Sequence, residues 1–137
     1  MEKLPSGSIF EYGAGRGRNT IPLTQAGYTV HAQDIAELPL LDLKKRADEL
    51  RLDIQLTQSE ASQHVLTQNY DALICLRVLH FLERQDALQV ISQMQSHTNT
   101  GGMNALVVFI NESPHGSTEY VTDPFFSFGR RDIKTLC

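Results

Sequence analysis

Near the start of the chain, the stretch Glu11-Tyr12-Gly13-Ala14-Gly15-Arg16-Gly17-Arg18-Asn19 sets three glycines at alternate positions, with an acid two residues before the first. Glycines let a backbone turn sharply and approach a ligand without Cβ collisions. Asp34 follows twenty-one residues after Gly13. A carboxylate at that distance from a glycine loop can accept both hydroxyls of a ribose. Further on, Glu60 is placed where a carboxylate can accept an adenine amino group. Together these residues describe a nucleoside site. The plainer readings are a Gly-rich connection without a ligand, an Asp34 that caps the next helix, and an exposed Glu60.

Two nucleoside ligands compete for such a loop. A dinucleotide site uses Gly-x-Gly-x-x-Gly, whose third glycine admits close packing of helix on strand. Counted from Gly13, that third position holds Arg18; counted from Gly15, it holds Thr20. Neither fits. Gly-x-Gly-x-Gly behind an acid is instead the spacing expected for S-adenosyl-L-methionine, which has no phosphates to cradle. It does carry an ammonium group, and Glu11 is suited to help hold it.

The elements that position these residues alternate between strand-like and helix-like, the pattern of a parallel sheet covered by crossover helices. Strands are predicted at Ser8–Tyr12, Thr29–Gln33, Ile54–Thr57, Tyr70–Leu76 and Asn104–Ile110. The fourth and fifth are apolar on both faces, as buried parallel strands are. A helix is expected from Asn19, as N-cap, to Ala26, with Pro22 in its first turn and Gly27 ending it. Pro39 opens a second helix, with an apolar stripe of Leu40, Leu43, Ala47 and Leu50. A third, from about Gln85 to Ser96, shows Leu88, Ile91 and Met94 at helical spacing. Gly101–Gly102 is expected to form the turn into the fifth strand.

Right-handed crossovers then give a Rossmann-like α/β three-layer sandwich with sheet order 3-2-1-4-5. Its ligand sits beyond the carboxyl ends of the strands, at the switch between strands 1 and 4. The glycine loop ends strand 1 and lies there. Cys75 and Leu76 end strand 4, where backbone groups can line the methionine end of the cofactor; core packing of their side chains is the alternative.

With 137 residues, the chain is expected to form a single domain able to bury about two thirds of its unfolded surface without a metal or disulfide staple. The formal charge is −4, and its basic residues are scattered apart from short runs such as Lys44-Lys45-Arg46. That distribution argues against a nucleic-acid partner. No stretch reaches membrane-spanning length, and the N-terminus lacks a signal-peptide profile. Two cysteines, Cys75 and the final Cys137, fit a reducing cytoplasm. No His, Cys or Asp cluster has metal-ligand spacing, so no metal is expected.

Glu11–Asn19, Asp34, the stretch from Tyr70 to Glu83, and Met94-Gln95 through Thr100–Asn104 resemble class I S-adenosylmethionine-dependent methyltransferases. Within that class, Gly15-Arg16-Gly17-Arg18-Asn19, Phe81-Leu82-Glu83 and Asp123-Pro124-Phe125-Phe126-Ser127-Phe128 are similar to motifs of the tellurite-resistance methyltransferases. The likeness runs from about Ile9 to Phe128. It implies that Glu11, Gly13, Gly15 and Gly17 contact the amino-acid part of the cofactor, that Asp34 holds the ribose and that Glu60 meets the adenine edge. Ala14 and Asn19 in the loop, and Ile35 and Ala61 beside the two acids, are counted with the same set. Glu11 stands where the family usually has Asp, and Ala14 where it usually has Cys. The family's final helix and antiparallel strands, and its helical residues before strand 1, are not matched. Dimerisation over the apolar edge of strand 5, or origin as a piece of a longer protein, is therefore expected.

Methyl transfer is an in-line displacement, for which a protein mainly supplies position and field. Arg77, His80, Asn111 and Glu112 lie just past strands 4 and 5 and can face a small-molecule acceptor. An oxyanion such as tellurite or selenite would be drawn to Arg77. A surface salt bridge for Arg77 and a packed core position for His80 are the competing readings. Phe125, Phe126 and Phe128 can form a lid or simply pack. Two other functions remain: a non-catalytic module that binds the cofactor, and a nicotinamide-dependent oxidoreductase, which Arg18 and Thr20 disfavour.

Overall fold

The computed structural model describes residues 7–107. Five parallel strands, β1 (Ser8–Tyr12), β2 (Thr29–Asp34), β3 (Gln55–Gln58), β4 (Tyr70–Leu76) and β5 (Thr98–Val107), form one sheet of order β3-β2-β1-β4-β5. Helices α1 (Thr20–Gln25), α2 (Glu37–Glu49) and α3 (Arg84–Ser96) make the crossovers. This is the expected three-layer sandwich and strand order.

Alternation along β1 and β4 divides the core between the two sheet faces. Phe10, Tyr12, Leu73 and Cys75 pack with Ala87, Val90, Ile91 and Met94 of α3. On the other face Ala32 meets Ile21 of α1 and Leu40 and Leu43 of α2, with Ala14 of the glycine loop among them.

Several elements depart from the sequence reading. Asn19 occupies the N-cap position of α1 in a helical conformation, without a capping side-chain hydrogen bond. Helix α2 begins two residues before Pro39, which still lies in the first turn, where a missing N–H costs no helical bond. Leu50 is its C-cap and is exposed, and Leu88 of α3 is exposed too. The buried stripe of α3 is Ala87, Val90, Ile91 and Met94, because the sheet lies one position to the side of Leu88. Gly101 and Gly102 do not precede β5 but lie within it. Gly101 has φ +80°, and the register to β4 slips from Tyr70 opposite Thr98 to Ala72 opposite Met103, so the glycines lie in an irregular excursion within the strand. Strand β5 is also not buried on both faces: Met103 is 58% and Val107 42% exposed. Asn111, Glu112, the motif at Asp123–Phe128 and the Phe125, Phe126 and Phe128 expectation lie outside the described residues.

Candidate functional site

The register of β1 against β2 sets Glu11 opposite Ala32 and Tyr12 opposite Gln33, so the glycine loop emerges beside the end of β2. Three successive loop amides are then tied to β2. Gly13 N–H donates to Gln33 Oε1 at 3.3 Å, Ala14 N–H to the Gln33 carbonyl at 2.9 Å, and Gly15 N–H to Asp34 Oδ2 at 2.7 Å. Gly17 N–H turns back to the Ala14 carbonyl. In a phosphate-binding loop such groups point at the anion. Here protein acceptors take them.

Sterics explain two of the glycines. Gly13 has φ +68°, and a Cβ there would stand 2.3 Å from Val78 Cγ2. At Gly17, φ is +87° and a Cβ would stand 2.3 Å from Leu43 Cδ1, a side chain fully buried between α2 and the sheet. Gly13 thus lets the segment after β4 close on the loop, and Gly17 lets α2 do so.

Glu11, at the end of β1, is buried at 3% exposure and accepts the Thr20 hydroxyl on Oε2 at 2.5 Å. Burial pushes its carboxyl above the usual range; the Thr20 and Asn19 side chains oppose that rise, and the Asp34 charge adds to it. The Glu11 carboxyl thus already occupies the N-terminal end of α1, where a pyrophosphate would have to sit. Asp34 also accepts the Ala36 N–H on Oδ1 at 2.9 Å. A carboxylate has roughly four acceptor positions, so these backbone bonds leave one free on each oxygen.

A cavity of about 590 Å³ opens at the carboxyl ends of the strands. Gly13 forms one wall, with Asp34 and Ile35 beside it. Glu60, Ala61 and Ser62 after β3 form a second wall, and Leu76, Arg77 and Val78 after β4 a third. Residues 81–83 and Asp86, at the start of α3, complete it. Of the residues singled out from the sequence, the fold brings Gly13, Asp34, Ile35, Glu60, Ala61, Leu76 and Arg77 onto this one cavity. Arg77 reaches it through a left-handed backbone, φ 61°, with its N–H held by the Val107 carbonyl at 2.9 Å.

The others are placed behind the walls. Glu11, Ala14, Gly15, Gly17 and Asn19 belong to the loop's internal framework and are not among the lining residues. Cys75 is fully buried in the core on the α3 face, because strand alternation turns it away from the side of Leu76. Burial raises its thiol to about 12. His80, in a short 3-10 helix at Leu79–Phe81, is buried, its ring centre 4.1 Å from that of Phe81 and tilted to it by 42°. Burial and the nearby Arg77 charge hold its imidazole below its ordinary value. Its place is the core one, not the acceptor-facing one. Gln33, Val78, Phe81, Glu83 and Asp86 were not anticipated as site residues. Phe81 and Glu83 were visible only as part of a family motif, and Gln33 stands in a mixed polar and apolar strand that gives no sign of its role.

Behind the second wall, the His31 ring bridges Thr57 Oγ1 at 2.8 Å and the Tyr70 hydroxyl at 3.1 Å. Burial, and then the adjoining His64, lower its imidazole to about 4.

The family model for tellurite resistance protein TehB matches residues 1–135. The chain belongs to the TehB family. A "Probable S-adenosyl-L-methionine-dependent methyltransferase TehB" of Haemophilus influenzae (strain 10810) is 30% identical over 129 residues, which are 92% of this chain and 43% of that protein. The magnesium-protoporphyrin O-methyltransferase of Synechocystis is 34% identical over 94 residues, 68% of this chain and 41% of that protein. The crystal structure of Haemophilus influenzae TehB superposes with a TM-score of 0.84 at 26% identity, covering 97% of this chain and 46% of that one. The magnesium protoporphyrin IX methyltransferase of Synechocystis with bound SAM gives 0.74 at 24% identity, over 96% of this chain and 57% of that one, a likeness of fold. The chain thus spans less than half the length of the curated TehB-family relative it matches. Among the described residues no helix is long and apolar enough to cross a membrane, and no cluster of metal-binding side chains occurs.

Proposed function

We propose that the chain is the cofactor-binding core of an S-adenosyl-L-methionine-dependent methyltransferase that acts on a small molecule. The observation that carries this reading is the commitment of the Gly13, Ala14 and Gly15 amides to Gln33 and Asp34. A loop that commits these amides internally has fewer donors for a pyrophosphate, yet it still offers a carboxylate for a ribose. That combination suits a nucleoside without phosphates and disfavours a nicotinamide dinucleotide.

When bound, the cofactor supplies a sulfonium methyl group open to displacement. Asp34 holds the ribose through its free acceptor positions, Glu60 and Ala61 flank the adenine, and Gly13 lets the methionine part approach the backbone. Leu76 and Val78 exclude water on the β4 side, while Arg77 orients an anionic acceptor. A chalcogen oxyanion such as tellurite is the acceptor we propose, supported by the guanidinium on the cavity wall and by the family's description. The free, buried thiol of Cys75 accords with a reducing cytoplasm as the place of action.

Calorimetric titration with S-adenosylhomocysteine and, separately, with NAD tests the cofactor. Binding of the first and not the second is expected; the reverse would overturn the reading. Homocysteine-nucleoside release on adding S-adenosylmethionine with tellurite then tests the acceptor. Cofactor binding without turnover of any acceptor would favour a non-catalytic module.

A further inference from the structure

We propose that Gln33 is a positioning residue that couples the two main walls of the cofactor cavity, fixing the distance between the groups that hold the ligand's amino-acid end and its adenosine end. The proposal rests on the cofactor reading above. In the sheet, β2 lies between β1 and β3, so backbone pairing cannot join the loop after β1 to the loop after β3. One side chain from β2 does so. Gln33, 1% exposed, accepts the Gly13 N–H on Oε1 and donates from Nε2 to the Ser59 carbonyl. Ser59 is held at its other groups too: its N–H donates to the Asp34 carbonyl at 3.0 Å, and its hydroxyl meets His64 Nδ1 at 3.4 Å. The next residues, Glu60 to Ser62, form the second wall of the cavity.

An amide of this length is suited to the task, because it carries one acceptor and one donor on a single planar group. A carboxylate keeps the acceptor and loses the donor, and an aliphatic chain loses both. In a buried setting each orphaned partner is costly, so the loops would shift to find other partners. Movement of either loop would then change the spacing of the cavity walls.

Two variants separate this role from a general contribution to folding. Gln33→Met keeps length and volume but makes neither hydrogen bond; Gln33→Glu keeps only the acceptor for Gly13. In the ligand-free chain, amide hydrogen exchange should quicken in Gln33→Met both at Gly13 and at Gln63 and His64, whose N–H groups bond to Glu60. In Gln33→Glu it should quicken at Gln63 and His64 alone. By calorimetry, Gln33→Met should weaken S-adenosylhomocysteine, which spans both walls, by on the order of tenfold. Methylthioadenosine, which lacks the amino-acid end, should weaken less than about threefold. Equal weakening of the two ligands, or unchanged exchange at either loop in Gln33→Met, overturns the proposal. If the wild-type chain binds neither ligand, the cofactor reading fails and the exchange pattern still decides the coupling. If Gln33→Met does not fold, the selective pattern of Gln33→Glu decides it.

Discussion

Alanine at Gly17 and at Gly15 must take a positive φ in both places but meets different surroundings. Both positions have positive φ, +87° and +57°. Placing an L-residue there costs about 1–2 kcal/mol. The loss of unfolded-state entropy, which favours alanine by about 0.4–1 kcal/mol, is common to both. At Gly15 nothing lies within 4 Å of the added Cβ, so the cost ends there. At Gly17 the Cβ would stand 2.3 Å from Leu43 Cδ1 and 3.3 Å from Ile21 Cγ1. Leu43 has no exposed surface into which to retreat. Overpacking of a closed core costs about 1–3 kcal/mol. Gly17→Ala should therefore be less stable than Gly15→Ala by about 1–3 kcal/mol, with the shared terms cancelling. Urea unfolding of the whole chain measures this, and at an ordinary slope the two midpoints should differ by roughly 1 M. Equal midpoints would show that α2 does not close on the loop as described, and that Gly17 has no packing role.

Other perturbations follow from the same structure. His31 is depressed to about 4 by burial and then by His64, against an ordinary value of 6.5. Its unfolded form therefore binds protons first as pH falls: stability present above about 6.5 is lost down to about 4, by at most roughly 3 kcal/mol. Denaturation at pH 7 and pH 4.5 should show that loss in the wild type and a smaller one in His31→Gln; identical losses would contradict it. Thr20→Val removes the hydroxyl that Glu11 accepts. It should cost about 1.5–3 kcal/mol in urea at neutral pH, and a change under about 0.5 kcal/mol would show the bond to be unimportant. Arg77→Gly should leave stability within about 1 kcal/mol, since the residue is already left-handed, while slowing methylation of an oxyanion acceptor. An unchanged rate would remove Arg77 from the acceptor site.

The sheet was legible because its signals are local. Ser8–Tyr12 is bounded by the glycines that follow it and Tyr70–Leu76 by its apolar run, and the one-way alternation of strand and helix leaves few allowed strand orders. The cavity acids, Asp34 and Glu60, were legible because strand ends point to one edge of a parallel sheet. What the sequence concealed depends on partners distant along the chain. Gly101 and Gly102 read as the turn before a strand because only the register against β4 shows pairing on both sides of them. His80 and Cys75 sit near the right strand end, and the sequence left core packing and a site role open for both; only the rotational placement set by packing shows that their side chains turn inward. Glu11 has the expected type and position, yet burial and Thr20 direct its carboxylate to α1. Gln33 could be seen but not interpreted, since its role requires two loops joined to different strands.

The central claim is that Asp34 and the glycine loop form the nucleoside end of an S-adenosylmethionine site. Calorimetric titration of the purified chain and of Asp34→Ala with S-adenosylhomocysteine tests it most directly. Removing the carboxylate takes away the ribose acceptors and the partners of the Gly15 and Ala36 amides together. Saturable binding by the wild type, lost or weakened by on the order of a hundredfold in a folded Asp34→Ala chain, is the predicted result. Equal binding by both chains would contradict the placement of the site, and no binding by the folded wild type would contradict the cofactor.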